Sequence, residues 1–287
     1  MNYLQRAKQF KTKKRLGQNF LVDESIISKI ISEAALNTDD TVIEIGAGAG
    51  FVTEKLAAIA KRVIAIELDE DAIDVLQSLP YKNIEIIHQD ILKTDISALV
   101  QEPIKIIANI PYYITSPIIA HLLGEVDDPV NKNSKCIKEI ILMVQYEVAK
   151  RIVANEKSPS KDYGLLSILA NYRAESEFIC KVPSKSFYPA PKVDSALIKL
   201  KIRQKPLVEV ENPKLFRKII KAAFGTRRKT LKNALLQGGF SGEVLSKAFE
   251  ESGINSDRRG ETLSMQEYKI LTQAIAIAAS TLRVSSQ

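Results

Sequence analysis

The chain has 287 residues, of which 45% are hydrophobic, so it can bury a sizeable core and has room for one large domain beside a smaller one. Its formal net charge of +7 is concentrated at the two ends: residues 1–15 hold six Lys and Arg and no acid, and residues 205–287 hold 14 Lys and Arg against 8 Asp and Glu. Two basic ends favour nucleic acid as a partner over a small metabolite. No segment has the apolar core of a signal peptide or the length of a membrane span, so we expect a cytoplasmic protein with no membrane partner.

Histidine and cysteine are scarce in this sequence. The chain contains only His88, His121, Cys136 and Cys180, and their spacing does not match a structural zinc site. We therefore expect no metal, and no acid–base chemistry built on imidazole.

After a first helix, which starts behind Asp23 as N-cap and ends near Leu36, strands and helices alternate along the chain. Strands are predicted at 41–45, 62–67, 84–88, 104–108 and 137–143, and helices at 51–60, 71–79, 115–123, 147–154 and 165–173. Such alternation with apolar strands predicts a mostly parallel, doubly wound α/β sheet covered on both faces. Residues 127–135 are predicted to form an exposed loop, and residues 178–182 and 196–202 a hairpin.

Beyond Lys205 the pattern becomes purely helical, with helices predicted at 213–224, 230–236, 242–252 and 265–282. This shift in composition marks a domain boundary. We predict a basic N-terminal segment at 1–22, an α/β domain at 23–204 and a small all-α, RNA-binding domain at 205–287.

Three polar or glycine-rich motifs follow the first three strands of the predicted sheet. A loop containing Gly46 and Gly48 lets a ligand approach the backbone, although its spacing is not that of a dinucleotide fingerprint. Glu67 ends the next strand, where a carboxylate can accept hydrogen bonds from both ribose hydroxyls, and Asp90 can accept from an adenine amine. No lysine reaches for a phosphate, so the pattern indicates S-adenosylmethionine rather than ATP. Leu68 and Ile91 are the neighbours expected to line this site.

A fourth motif, Asn109-Ile110-Pro111-Tyr112, directly follows the predicted strand 104–108. Ligands of open α/β sheets bind beyond the carboxyl ends of the strands, so this polar tetrapeptide is a candidate site for a planar amine. A strand that simply ends at a proline is the structural alternative.

Together these motifs resemble the adenine-N6 methyltransferases of ribosomal RNA. Three further segments carry the resemblance: residues 15–21 (RLGQNFL) resemble the segment that closes over the cofactor, residues 187–195 (FYPAPKVDS) the target-base loop, and residues 224–231 (FGTRRKTL) a C-terminal signature of the KsgA family. These enzymes are the small-subunit rRNA adenine dimethylases. The resemblance runs from about residue 15 to residue 282.

The resemblance implies a Rossmann-like, S-adenosylmethionine-dependent methyltransferase whose last strand is antiparallel. The implied reaction converts two adjacent adenosines in the 3′-terminal hairpin loop of 16S rRNA, within an assembling 30S subunit, to N6,N6-dimethyladenosine; we expect a monomer. Besides the residues already named, cofactor contacts are implied for Asn19, Leu21 and Asn109.

Chemistry accounts for the residue types at the amine site. The Asn109 side-chain oxygen and the Ile110 carbonyl can accept the two N6 hydrogens and aim the lone pair at the methyl group. Pro111 fixes its own φ, while Tyr112 and Phe187 can stack on the two faces of the base, with Tyr113 a competitor for Tyr112. RNA phosphates are expected to contact a set of basic residues: Lys13, Lys14, Arg15, Arg227, Arg228, Lys229 and Lys232.

Three departures from the family pattern leave alternatives open. Ile110 stands where the family more often has Leu, and Ala47 and Ala108 stand where Pro and Gly are common. Ile at that position is frequent in the related 23S rRNA methylases of macrolide resistance, although the basic cluster at 227–230 disfavours that family. A noncatalytic RNA-binding assembly factor is the second alternative. A dehydrogenase fails on the glycine spacing.

Overall fold

The computed structural model describes residues 2–128, 131–159 and 161–284. These residues form two compact units: the first comprises residues 2–123, 132–150 and 175–202, and the second residues 124–128, 131, 151–159, 161–174 and 203–284. Residues 124–128, 131, 151–159 and 161–174, which the sequence interpretation places in the α/β domain, therefore group with the C-terminal residues. None of the helices in the described part of the chain is long and apolar enough to cross a membrane.

Nine strands are present in the described residues: β1 Phe20–Leu21, β2 Thr41–Ile45, β3 Arg62–Glu67, β4 Ile84–His88, β5 Ile104–Asn109, β6 Ile137–Gln145, β7 Ala174–Val182, β8 Phe187–Tyr188 and β9 Ser195–Ile202. The same residues contain twelve α-helices: α1 Tyr3–Lys8, α2 Glu24–Ala34, α3 Phe51–Ala57, α4 Glu70–Gln77, α5 Thr115–Leu123, α6 Lys132–Lys135, α7 Tyr146–Val153, α8 Leu165–Arg173, α9 Pro213–Gly225, α10 Leu231–Gln237, α11 Gly242–Ser252 and α12 Met265–Val284.

The first unit is built on a seven-stranded sheet in the order β4-β3-β2-β5-β6-β9-β7. Strands β4, β3, β2, β5 and β6 pair with one another in parallel, whereas β9 pairs with β6 antiparallel. The doubly wound sheet with an antiparallel last strand is confirmed. Strands β3 and β4 are added on one side of β2, and β5 and β6 on its other side. Such a switch in strand order creates a crevice at the carboxyl ends of β2 and β5.

Apolar residues on both faces explain why β2 and β5 occupy the centre of the sheet. Val42, Ile43, Ile106 and Ile107 are almost completely buried, as expected for parallel strands covered by helices on both sides. Helix α2 begins where Asp23 accepts a hydrogen bond from the Ser25 amide, which confirms the predicted N-cap.

Two short features of the first unit differ from the sequence predictions. Residues 132–135, placed in an exposed loop, form the single-turn helix α6. A separate two-stranded sheet pairs β1 with β8, in the register Phe20 with Tyr188 and Leu21 with Phe187. Two-residue strands have no periodicity of their own, so only the pairing between distant segments defines them.

The second unit is helical beyond Lys205 in every regular element that the structure describes. Its core contains Phe216 and Tyr268, both fully buried, and Phe224, whose ring lies 6.1 Å from that of Tyr268. The Tyr268 hydroxyl donates a 2.7 Å hydrogen bond to the Gly260 carbonyl, which satisfies its polar atom inside the core.

Candidate functional site

A cleft open to solvent lies at the carboxyl ends of the central strands of the first unit, and its empty space, counted out into the solvent at its mouth, is about 850 Å³. It is lined by residues from five segments of the chain: 16–20, 45–48, 66–68, 89–91 and 109–118. The ends of β2, β3, β4 and β5 thus meet the residues that precede β1. None of the described residues that line the cleft is Lys, Arg or His.

Glycines bring the backbone of the loop after β2 close to the cleft. Gly46 and Gly48 have φ angles of 73° and 52°, a region that side-chain-bearing residues rarely adopt. A Cβ atom on Gly48 would also lie 3.0 Å from the Phe20 ring. This loop therefore needs glycine at position 48 for its conformation and for its contact with the segment that covers it.

Glu67, at the end of β3, accepts three backbone hydrogen bonds. Its Oε2 accepts from the Gly48 amide at 2.8 Å, and its Oε1 accepts from the amides of Leu68 and Asp69 at 2.7 and 2.9 Å. Each carboxylate oxygen has two lone pairs, so Oε2 keeps one for a ligand hydroxyl, whereas Oε1 is fully used. A ribose that binds both oxygens must displace one of the two amides from Oε1.

Glu44 lies below the glycine loop near the end of β2. Its side chain is buried, and no residue that the structure describes forms a hydrogen bond with its Oε2 or with the Thr53 hydroxyl. Burial raises the pKa of Glu44 to about 8; the Glu67 charge raises it further and the nearby Thr53 hydroxyl lowers it. Burial therefore favours the protonated form of Glu44, and of these two side chains only that of Glu67 belongs to a residue that lines the cleft.

Asp90 follows β4 and lines the cleft together with Gln89 and Ile91. Its Oδ1 accepts a 3.0 Å hydrogen bond from the Leu92 amide, and thereby caps the short 3₁₀ helix Ile91–Lys93. No described residue donates a hydrogen bond to its Oδ2. One carboxylate oxygen of Asp90 therefore serves the fold, and the other is left to accept from a ligand.

Asn109 is the last residue of β5, and its amide is oriented by a residue from before β1. Its Nδ2 donates a 3.2 Å hydrogen bond to the Asn19 carbonyl, so its Oδ1 is the atom left to accept. Among the described residues nothing donates to this oxygen or to the Ile110 carbonyl. Pro111, with φ −58° and ψ 133°, turns the chain away from the strand directly after these two acceptors.

Two tyrosines follow Pro111 and line the same part of the cleft. The Tyr112 hydroxyl lies 2.6 Å from the Ser195 Oγ, and burial raises the pKa of Tyr112 more than this contact lowers it. Tyr113 is 63% exposed, and its ring carbon lies 3.3 Å from where a Cβ of Gly17 would sit. Both rings line the cleft, so either can offer a face to a base.

Two of the residues expected at the site lie outside the described lining of the cleft. Phe187 and Leu21 are both buried and face each other in the β1–β8 pair, as part of the hydrophobic core. For Phe187 to stack on a base, its ring must leave this core position. Its base-stacking role stays a prediction, as does the cofactor contact of Leu21.

The basic residues of the N-terminal segment have different surroundings. Lys13 forms ion pairs with Asp69 and Asp71. Arg15 is exposed. The side chain of Lys14 lies outside the described part of the structure.

In the second unit, Arg227 donates to the carbonyls of Lys161 and Tyr163, and Lys229 donates to Gln237 at 2.8 Å. Arg228 is exposed and Lys232 is half-buried. All four residues of the predicted basic cluster thus lie on or near the surface of this unit.

The structure adds four residues that the sequence analysis did not assign. Gln18 and Asp69 bind each other beside the Glu67 loop, Ser195 contacts Tyr112, and Gln89 lines the cleft. Gln18 and Ser195 lie inside the motifs at 15–21 and 187–195, so their position in these motifs is a sequence signal that could have identified them as site residues. Asp69 is two residues from Glu67 and looks like an ordinary helix N-cap in the sequence.

The donor and acceptor set of the cleft fits an adenosyl group. Acceptors at Glu67 and Asp90 suit ribose hydroxyls and an adenine amine, and the glycine loop gives close approach to the backbone. The absence of cationic side chains among the described lining residues does not suit phosphates. This chemistry and the sheet topology define a methyltransferase of the S-adenosylmethionine-dependent class.

Comparison with known proteins defines the family within that class. A family model described as ribosomal RNA adenine dimethylase matches residues 9–276, and the chain belongs to this family. The chain is 42% identical over 272 residues to a ribosomal RNA small subunit methyltransferase A from Caldanaerobacter subterraneus subsp. tengcongensis, covering 92% of this chain and 97% of that one. A Clostridium botulinum (strain Kyoto / Type A2) protein of the same name is 45% identical over 272 residues, covering 93% and 95%.

Two solved structures extend the similarity to the fold. A dimethyladenosine transferase from Plasmodium falciparum is 26% identical, with a TM-score of 0.75 over 91% of this chain and 98% of that one. The 23S rRNA methyltransferase ErmE is 27% identical, with a TM-score of 0.67 over 90% and 100%.

Proposed function

We propose that this protein transfers methyl groups from S-adenosylmethionine to N6 of two adjacent adenosines in the 3′-terminal hairpin loop of 16S rRNA, giving N6,N6-dimethyladenosine. It acts as a cytoplasmic monomer on an assembling 30S subunit. The observation that carries the proposal is the pair of free acceptors, Asn109 Oδ1 and the Ile110 carbonyl, at the end of β5 in the same cleft as the carboxylates of Glu67 and Asp90.

The proposed cofactor contacts divide the cleft into two halves. Glu67 holds the ribose, Asp90 accepts from the adenine amine, Leu68 and Ile91 border the adenine, and the loop with Gly46 and Gly48 approaches the cofactor closely. When bound, S-adenosylmethionine supplies a methyl group on a positively charged sulfur, an electrophile that needs no further activation.

The other half of the cleft holds the target amine. Asn109 Oδ1 and the Ile110 carbonyl accept the two N6 hydrogens, which draws the nitrogen toward pyramidal geometry and orients its lone pair. Each such hydrogen bond contributes about 1 kcal/mol. N6 gains the methyl group as its bond to sulfur breaks and S-adenosylhomocysteine is left, and the positively charged N6 then gives up one of its two protons to water. A single N6 hydrogen remains, so one of the two acceptors suffices for the second round. No strong base is needed, because positioning supplies most of the effect.

Stacking compensates for the cost of turning the target base out of the RNA. Tyr112 offers a ring held by Ser195, and Phe187 is the proposed second platform. Stacking on an aromatic side chain contributes about 1 to 3 kcal/mol per base, comparable with the few kcal/mol that unstacking costs.

The choice of 16S over 23S RNA rests on the curated relatives and on the basic cluster. Relatives with 42% and 45% sequence identity to this chain are named small subunit methyltransferases, whereas the sequence identity to the 23S enzyme ErmE is 27%. Arg227, Arg228, Lys229 and Lys232 provide cations for the phosphate backbone in the second unit. A noncatalytic assembly factor is disfavoured because it would not need the free acceptors at Asn109 and Ile110.

The proposal is tested by incubating the protein with labelled cofactor and separate 30S and 50S particles from unmethylated ribosomes, followed by mass spectrometry of the nucleosides. We expect dimethyladenosine in 16S RNA and none in 23S RNA. Dimethyladenosine in 23S RNA would show instead that the protein is a 23S rRNA methyltransferase of the macrolide-resistance type. Binding to 30S particles without any methylated product would show that it is a noncatalytic assembly factor.

A further inference from the structure

The residues that precede β1 cover the cleft and are held at two points. Leu16 to Phe20 line the cleft from one side. Their C-terminal anchor is the pairing of β1 with β8, extended by a 2.9 Å hydrogen bond from the Val22 amide to the Ser186 carbonyl. We refer to residues 13–19 as the covering segment.

The second anchor of the covering segment is the Asp69 carboxylate. Lys13 Nζ binds Asp69 and also contacts Asp71 Oδ2 at 2.8 Å, while Gln18 Nε2 donates to the second Asp69 oxygen. The two ends of the covering segment are themselves joined, since the Lys13 amide donates to Gln18 Oε1 at 2.7 Å.

The surroundings of Asp69 make this anchor more than a surface ion pair. Its side chain is completely buried, and a buried carboxylate is stable only when it is paired. Burial raises the pKa of Asp69, but the hydrogen bonds from Lys13 and Gln18 outweigh burial and lower it. Removing Lys13 therefore leaves a buried charge without its cation, which favours opening of the segment to water.

Asp69 also connects the covering segment to the ribose carboxylate. Its backbone amide donates a 2.9 Å hydrogen bond to Glu67 Oε1, and its Oδ1 accepts a hydrogen bond from the Asp71 amide at the start of α4. At the other end of the segment, the Asn19 carbonyl orients Asn109. A displacement of the covering segment would therefore disturb the surroundings of both Glu67 and Asn109, in the two halves of the cleft.

We propose that Lys13 and Asp69 form a latch that keeps residues 13–19 closed over the bound cofactor, which makes both of them positioning residues for cofactor retention. This inference rests on the proposed use of S-adenosylmethionine. It assigns Lys13 a role in cofactor binding in place of the expected contact with RNA.

The test compares Lys13→Met with Lys11→Met, a change of the same charge at an exposed position two residues away. If opening leaves about a tenth of the protein closed, the apparent affinity for S-adenosylhomocysteine, measured by calorimetry, falls about tenfold in Lys13→Met. Lys11→Met should bind as wild type does. We expect Lys13→Arg to restore most of the affinity, and the KM for the cofactor to rise more than kcat falls.

A readout without ligand comes from limited proteolysis with thermolysin, which cleaves at apolar residues such as Leu16 and does not depend on lysine. Cleavage within the covering segment should be faster in Lys13→Met than in Lys11→Met. Asp71→Asn, which removes the exposed partner of Lys13, should weaken cofactor affinity by a smaller factor, and circular dichroism checks that each variant is folded.

Unchanged cofactor affinity and unchanged cleavage in Lys13→Met would overturn the latch. So would a loss of RNA affinity with cofactor affinity intact, because Lys13 would then act on RNA alone. Wild-type protein in the same experiments separates the two proposals: failure of wild type to bind S-adenosylhomocysteine would remove the proposed function itself.

Discussion

At the scale of single residues, the protonation of Glu44 is coupled to the stability of the folded protein. Burial raises its pKa from 4.5 to about 8 in the folded protein. Between these values the folded state keeps a proton that the unfolded chain has lost, so the contribution of Glu44 to stability is full below the lower value and is lost as pH rises through the upper one.

Replacing Glu44 by Gln keeps the size of the side chain and removes the titration. We expect the stability of the variant relative to wild type to increase as pH rises from about 5 to about 8, and then to level off, because the wild-type protein alone loses this contribution. Urea unfolding at a series of pH values measures the difference. Parallel stability profiles for the two proteins would show that Glu44 is already ionised in the folded state.

At the scale of secondary-structure elements, β9 supports the cleft through its first residue. Ser195 is fully buried, and its hydroxyl lies 2.6 Å from that of Tyr112, so it fixes the ring proposed to stack on the base. We expect Ser195→Ala to lower kcat/KM for RNA about fivefold, the equivalent of one hydrogen bond of about 1 kcal/mol, with cofactor affinity unchanged.

The matched variant for this prediction is Tyr112→Phe, which removes the same hydrogen bond from its other end and keeps the ring. The two changes together should cost no more than either alone, because both remove one interaction. Additive losses in steady-state kinetics would mean that Ser195 acts on something other than Tyr112.

The elements also show what could be predicted from sequence. Strands such as β2 and β3, and helices such as α5 and α11, were predicted at their observed bounds, since each carries its own apolar pattern and punctuation. The common location of the motifs at the strand ends could also be predicted, because parallel strands bring their carboxyl ends to one edge of the sheet. The β1–β8 pair and the Lys13–Asp69 ion pair join segments more than 50 residues apart, and no local pattern specifies them.

At the scale of the whole molecule, positive charge is concentrated at both ends of the chain, which suits the proposed RNA substrate. Arg228 is an exposed member of the basic cluster, whereas Arg227 also holds backbone carbonyls at 161 and 163. We expect Arg228→Glu to weaken RNA binding and to reduce the salt dependence of the affinity by about one to two ions. Filter binding over a range of salt concentrations measures both.

The control for this prediction is Lys214→Glu, which reverses an exposed charge in the same unit outside the basic cluster. It should leave the salt dependence close to that of wild type. Equal effects of the two changes would indicate that net charge alone governs RNA association, and that the cluster has no special role.

In the proposed mechanism Asn109 holds the target amine, while Glu67 and Asp90 hold the ribose and the adenine of the cofactor. The most direct test of this mechanism is methyl transfer to unmethylated 30S particles under single-turnover conditions by wild type and Asn109→Ala, with S-adenosylhomocysteine affinity measured on the same samples. We expect Asn109→Ala to bind S-adenosylhomocysteine nearly as wild type does and to form no detectable dimethyladenosine. Methyl transfer by Asn109→Ala at a rate close to that of wild type would contradict this mechanism.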